Sequence, residues 1–207
     1  MTKKTILHID SSPQPEALSR QLTQHFVDAF CAAAPKASII QRDLNANPPP
    51  FVDLGWVQNA YAPKEKQDGV SLQISDQLTD EFLAADVVVL GMPMYNWGMP
   101  AIVKAWFDQI IRMNKTFAVT DGVLTGLCQP DKKAIAIVTR SEKCLPGEPF
   151  AHANFQDGHF KYLMEFMGVK DIRLEALQGG AKDADAKSNL QSMRERLKKS
   201  AQEMALR

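Results

Sequence analysis

Short apolar runs alternate with amphipathic stretches along most of this chain. Thr5 to Ile9 is a strand-like run closed by Asp10, and beyond a polar loop Leu22, Phe26, Phe30 and Ala33 fall on one face of a helix that Ser19 is expected to cap. A second strand is predicted over 37–44. The run Pro48-Pro49-Pro50 then forbids regular hydrogen bonding and opens a surface excursion to about Gly69. Leu72, Leu78 and Phe82 mark an amphipathic helix that leads into Val87-Val88-Val89-Leu90, an unbroken apolar run of the kind buried on both faces of a parallel sheet. Pro100 suits the first turn of the next helix, whose Val103, Trp106, Phe107 and Ile110 share one side up to about Met113. Residues 134–139 repeat the buried-strand pattern. A helix through Phe155, Tyr162, Leu163, Phe166 and Met167 is expected to stop at Gly168, followed by a strand over 172–177 and a polar helix from Asp183 to Ala205.

Five strands alternating with helices predict an α/β fold, a doubly wound parallel sheet with right-handed crossovers and helices on both faces. Five strands favour the flavodoxin-like order 2-1-3-4-5, and the 207 residues are expected to form one domain, 1–207. In such a sheet a ligand sits beyond the carboxyl ends of the strands, where the strand order reverses. The loops after the first, third and fourth strands are therefore where chemistry is to be sought.

Composition narrows the function classes. Twenty-four basic and twenty-four acidic side chains cancel, with no basic block to neutralise a run of phosphates, so nucleic acid is not an expected partner. No stretch of eighteen apolar residues is present to cross a bilayer. Only Thr5 to Ile9 separates the basic start Lys3-Lys4 from Asp10, too short for the core of an export signal. Cys31, Cys128 and Cys144 lie far apart without a C-x-x-C pair, which suits a reducing cytoplasm. His8, His25, His152 and His159 show no H-E-x-x-H spacing, so no metal site is expected.

The first loop, Ser11 to Ser19, carries three hydroxyls and runs into a helix N-terminus, whose unpaired N–H groups and positive dipole end suit a phosphate. The plainer reading, that Ser19 caps its helix and Ser12 precedes a turn, is equally open. Neither G-x-G-x-x-G nor a P-loop is present, so a monophosphate fits better than a dinucleotide or a nucleoside triphosphate. The loop after the third strand, Gly91 to Pro100, is dense in flat and soft side chains: Met92, Met94, Tyr95, Trp97 and Met99. It reads as one wall of a pocket for a planar ring, or as a loop packed on its own satellite core. Thr139-Arg140-Ser141-Glu142 faces the same crevice, as a lid or as an ordinary solvated loop.

Pro93-Met94-Tyr95-Asn96-Trp97, followed by Pro100, Lys104-Ala105-Trp106-Phe107-Asp108, Arg112 and Thr116-Phe117, resembles the FMN-dependent NADH-azoreductase and NADH:quinone oxidoreductase family, which reads P-M-Y-N-F at the first of these motifs. The similarity extends from the first strand to about Gly179. It implies bound FMN, with Ser12 and Ser19 at the phosphate, Pro93, Met94, Tyr95, Asn96 and Trp97 at the ring system, and Thr139, Arg140, Ser141 and Glu142 at its pyrimidine edge. Two departures stand out. The family's S-x-S before the first helix is Ala17-Leu18-Ser19 here, one hydroxyl fewer, and its S-R-G-G is Thr139-Arg140-Ser141-Glu142, without either glycine. On one reading Glu142 brings a carboxylate near charge that develops on reduction and a lowered flavin potential is expected; on the other, equally open, it points to solvent.

The resemblance further implies hydride transfer from NADH or NADPH through FMN N5 to quinones or aromatic azo compounds by ping-pong kinetics, with no catalytic side chain. It also implies a homodimer, with the excursion bearing Phe51, Trp56 and Tyr61 as contact or lid; those aromatics equally suit covering a core edge within one subunit. Two alternatives remain. One is a flavodoxin-type electron carrier, which zero net charge disfavours; the other is a flavodoxin-like binding module that has lost FMN.

Overall fold

The computed structural model describes residues 3–180 and 184–206. Strands β1 (Thr5–Asp10), β2 (Ser38–Asp43), β3 (Val87–Pro93), β6 (Lys133–Thr139) and β7 (Asp171–Leu177) form one parallel sheet in the order β2-β1-β3-β6-β7. Counted within the sheet this is 2-1-3-4-5, as the alternation predicts. The register aligns Ile6 with Ile39 and Val87, and Val87 with Lys133. Helices α1 (Leu18–Ala33) and α6 (Ala186–Leu206) cover one face; α3 (Gln73–Ala84), α4 (Ala101–Ile110) and α5 (Phe155–Phe166) cover the other.

The period of two along the inner strands sorts their side chains between these layers. Ile6, Val87, Val89, Ile135 and Ile137 meet Leu22, Phe26 and Phe30 of α1 and Met193, Leu197 and Ala201 of α6. Leu7, Val88, Leu90, Ala134 and Ala136 meet Phe82, Trp106, Phe107, Phe160 and Met164. Each fully buried Phe, Leu or Ile contributes about 1.5–3 kcal/mol. Lys132 is buried at the end of α3, where its ammonium donates to the carbonyls of Phe82 and Ala85, and that burial lowers its pKa.

Some boundaries differ from the sequence reading. Helix α1 starts at Leu18 with Ala17 as its uncapped boundary residue, so Ser19 lies inside the first turn and is not the cap. Helix α4 ends at Ile110 and not near Met113, because Thr116 draws the chain into a turn by accepting from Arg112 N and donating to Ile110 O. The last helix is described from Ala186, and Asp183, its expected start, lies outside the described residues. Within the excursion, α2 (Leu54–Ala60) is capped by Asp53, whose side chain accepts from Trp56 N at 2.7 Å. Trp56 is buried with Ala60 and Leu72, covering a core edge, whereas Phe51, Leu54 and Tyr61 are exposed.

A hairpin of β4 (Phe117–Thr120) and β5 (Val123–Gly126) was not foreseen. Its turn residues Asp121 and Gly122 both have positive φ, the two-residue turn that suits hairpin twist. It docks where Gly126 lies against the C-terminus of α5, closed by Gly168 at φ +97°, and a Cβ on Gly126 would meet Gly168 N at 2.2 Å and Met167 C at 2.4 Å. We expect Gly126→Ala to destabilise the fold by about 1–3 kcal/mol, since backbone must move. Gly158→Ala, in a helical position with nothing within 4 Å, is expected to stabilise by about 0.5–1 kcal/mol. Urea midpoints of the two variants should therefore move in opposite directions.

Candidate functional site

Because all five sheet strands are parallel, the segments after β1, β3, β6 and β7 leave the sheet at the same edge. They are tied together by main-chain bonds: Met94 N donates to Thr139 O at 2.9 Å, Arg140 N to Leu177 O at 3.0 Å and Gly179 N to Ser141 O at 3.1 Å. Gln156 of α5 adds a bond from Nε2 to Pro93 O at 3.0 Å.

After β3 the chain makes a tight turn in which Tyr95 and Gly98 exchange two N–H···O bonds of 3.1 Å. Its central residues, Asn96 at φ 47° and Trp97 at φ 71°, are both left-handed. Asparagine tolerates this conformation, but for tryptophan it costs about 1–3 kcal/mol, strain that persists only where the surroundings impose it. Phe155 N, donating to Trp97 O at 3.1 Å, and Phe150, whose ring lies 5.3 Å from that of Trp97, supply that support. Tyr95 and Trp97 are left 45 % and 37 % exposed.

Two adjoining cavities open here. One of about 390 Å³ is lined by Pro93, Met94, Tyr95, Thr139, Arg140 and Ser141, and also by Leu18 of α1 and by Ala186, Lys187 and Leu190 of α6. The other, of about 200 Å³, is lined by Met94, Asn96, Trp97, Arg140, Ser141 and Glu142. The larger is within the range of small-molecule sites and predominantly apolar. Nine of the eleven residues singled out in the sequence thus meet around one cleft, whereas Ser12 and Ser19 line neither cavity.

The first loop is braced from below. Ser11 donates to Gly91 O through both N and Oγ, at 3.2 and 2.8 Å. Arg20 donates to Ser12 O from Nε and Nη2, at 2.9 and 2.6 Å, and pairs with Asp43 at 2.8 Å. The hydrogen bond from Arg20 holds the Asp43 carboxyl below its ordinary pKa and raises that of Arg20 in return. Ser12 Oγ accepts from Gln14 N, while Ser19 Oγ is buried without a partner. Gly91 permits the close approach: a Cβ there would meet Thr23 Cγ2 at 2.6 Å.

Arg140 contributes differently from what its position suggests. Its side chain is 1 % exposed, with Nη1 and Nη2 donating to the two Asp157 oxygens at 2.9 and 3.1 Å and Nε to Gln178 Oε1 at 2.9 Å. Its forked donors are committed to fixing the 140–154 segment on α5, leaving its flank as cavity wall. Glu142 stands exposed at the rim of the smaller cavity with no ion pair recorded among the described residues. Sequence reasoning missed Arg20, Asp43 and Asp157, which brace the loops, and Lys187, which reaches the cleft from the other end of the chain. The thiols offer no activated nucleophile: burial pushes Cys128 up to about 11 and raises Cys144 as well. Among the described residues no three His, Cys, Asp or Glu side chains gather as for a metal ion.

Comparison with known proteins agrees with this architecture. The family described as having a flavodoxin-like fold matches residues 4–201. A protein of a Nostoc species named FMN-dependent NADH:quinone oxidoreductase is 39 % identical over 190 residues, covering 88 % of this chain and 91 % of its own. One of the same name from Acidobacterium capsulatum is 35 % identical over 204 residues, covering 95 % and 98 %. Among solved structures, an azoreductase from Bacillus anthracis superposes with a TM-score of 0.89 at 22 % identity, covering 97 % and 99 %. An FMN-dependent NADH-azoreductase from the same species, in complex with FMN, superposes at 0.86 with 20 % identity, covering 98 % and 100 %; these two likenesses concern the fold. With its sheet order, its matched span and its curated relatives in agreement, the chain belongs to the flavodoxin-like family of FMN-dependent NADH:quinone oxidoreductases.

Proposed function

We propose that this protein is an FMN-dependent oxidoreductase that passes hydride from NADH to quinones and aromatic azo compounds, with NADPH as the alternative donor. The observation that carries the reading is the strained Asn96-Trp97 turn, which holds exposed aromatic side chains beside an apolar cavity at the strand ends. The residues fit FMN. Met94, Tyr95 and Trp97 offer flat and polarizable surface to a tricyclic ring. The two central N–H groups of the turn take no part in its closure and are available to a heterocycle's edge. The first turn of α1 carries no acidic residue, its N-terminus has no side-chain cap, and Ser19 Oγ lacks a partner, which together suit a phosphate.

FMN bound here supplies the two-electron hydride chemistry. The protein's own work is positional. Tyr95 and Trp97 bound the ring's surroundings, the Trp97–Phe150 pair keeps water from one side, and the Arg140–Asp157 pair holds the loop opposite. No side-chain acid or base is assigned to the reaction. Donor and acceptor use the same open side of the cleft in turn, which makes the kinetics ping-pong. The chain acts as one domain and as a homodimer in the cytoplasm. Exposed Phe51, Leu54, Tyr61 and Val70 on the excursion support pairing with a second copy. No helix of the described residues is long and apolar enough to cross a membrane.

The purified protein is expected to be yellow, to bleach on anaerobic addition of NADH as one equivalent is oxidised, and to turn over NADH continuously only while a quinone or azo dye is present, with parallel double-reciprocal plots. Intersecting plots would exclude the ping-pong order, and a colourless protein that ignores added FMN would favour a binding module. Glu142→Gly should raise the flavin midpoint potential by about 10–30 mV, the size set by one solvent-screened carboxylate that no longer opposes the negative charge of reduction. An unchanged potential assigns Glu142 no such role. Asp157→Ala, which strands the buried Arg140, should cost about 3 kcal/mol of stability and weaken FMN binding, as read by thermal unfolding and flavin fluorescence.

A further inference from the structure

The larger cavity is lined in part by α6, which the chemistry above leaves unused. Helices α1 and α6 each follow a strand of the parallel sheet and return along the same face, packed through Leu22, Phe26 and Phe30 against Met193, Leu197 and Ala201. Their N-termini therefore lie together at the sheet edge that holds the cleft. Leu18, the first residue of α1, and Ala186, the first of α6, line the same cavity. Each helix start places the equivalent of about half a positive charge there, and neither carries an acidic side chain in its first turn.

Lys187 adds a full positive charge at this place. It is exposed, lines the cavity, and has no ion pair recorded among the described residues. Asp185, just before the helix, lines the neighbouring polar cavity of Gln178, Asn189 and Arg196 instead. On the α1 side of the same cavity the helix starts at Leu18 without a side-chain cap, so no side chain among the described residues accepts from its first N–H groups. Relative to the S-x-S of the resembled family, the α1 side is short by one hydroxyl at Ala17, and Lys187 lines the same cavity.

We propose that Lys187, from the C-terminal helix, is a phosphate-binding residue that contacts the monophosphate of the bound flavin and offsets the missing hydroxyl at residue 17. This rests on the reading of the cleft as an FMN site. Such a contact is specific to the phosphate and is screened by salt, whereas a residue that merely shapes the cavity serves every flavin alike.

The test is titration of flavin-stripped wild type, Lys187→Ala and Lys187→Arg with FMN and with riboflavin, which lacks the phosphate, followed by flavin fluorescence at low and high salt. Lys187→Ala is expected to weaken FMN binding about fivefold at low salt and to leave riboflavin binding unchanged, with Lys187→Arg restoring most of the loss. Added salt should shrink the gap between wild type and Lys187→Ala. Equal FMN affinity in wild type and Lys187→Ala overturns the proposal, as does an equal loss for both flavins. If wild type binds riboflavin but gains nothing from the phosphate, Lys187 has no such role while the ring site stands. A wild type that binds neither flavin overturns the FMN reading and this inference together.

Discussion

Parallel pairing of five strands is the constraint from which the rest of this molecule follows. A parallel strand can be followed by another in the same sheet only after a crossover, so each loop that begins at a strand's carboxyl end begins at one common edge. The returning helices start at that edge as well, with their unpaired N–H groups facing outward. Concentrated there are four loops and the positive ends of α1 and α6, brought together from residues as distant in sequence as Ser11 and Lys187. The inner strands can be so apolar because both faces are covered, and that double burial supplies the stability against which local strain at the edge is tolerated.

That strain is concentrated at one turn. Placing Trp97 in the left-handed region opposes its intrinsic preference, and the opposition is met by contacts that themselves come from the next loop: Phe150 against the indole and Phe155 N on the Trp97 carbonyl. The 140–154 segment that carries Phe150 is in turn fixed by Arg140 bridging Asp157 and Gln178. The aromatic wall and the guanidinium pair are therefore one device. An Arg whose donors were free would serve a ligand's anion directly; here they are spent on geometry.

The sheet order and most helix faces were legible because buried strands and amphipathic helices leave periodic apolar patterns, as Val87 to Leu90 and Leu22, Phe26 and Phe30 do. The hairpin was not, because β4 and β5 are four residues each and largely exposed, which leaves no apolar alternation to read. Its signal was the Asp121-Gly122 pair, a turn dipeptide with the positive φ values such turns require. The cleft's loops could be named from their places after strands, and nine of the residues chosen there do meet around it. The fate of Arg140 could not, since its partners Asp157 and Gln178 lie 17 and 38 positions away. Lys187 was hidden for the same reason: sequence places it on a polar helix, and only packing of α6 beside α1 brings it to the cavity.

Zero net charge conceals an uneven distribution along the cleft. At one end stand two helix N-termini and Lys187; toward the other, Arg140 is neutralised by Asp157, and Glu142 leaves a negative charge on the rim. A ligand with an anionic tail and a neutral planar head is oriented by such a gradient before any specific contact forms, because reversing it would set the tail against a carboxylate and the head against unpaired N–H groups. Shape acts in the same sense. The indole of Trp97 lies at the acidic end, beside Glu142, so electrostatics and apolar contact select one orientation together, and weakening either leaves the other to hold it.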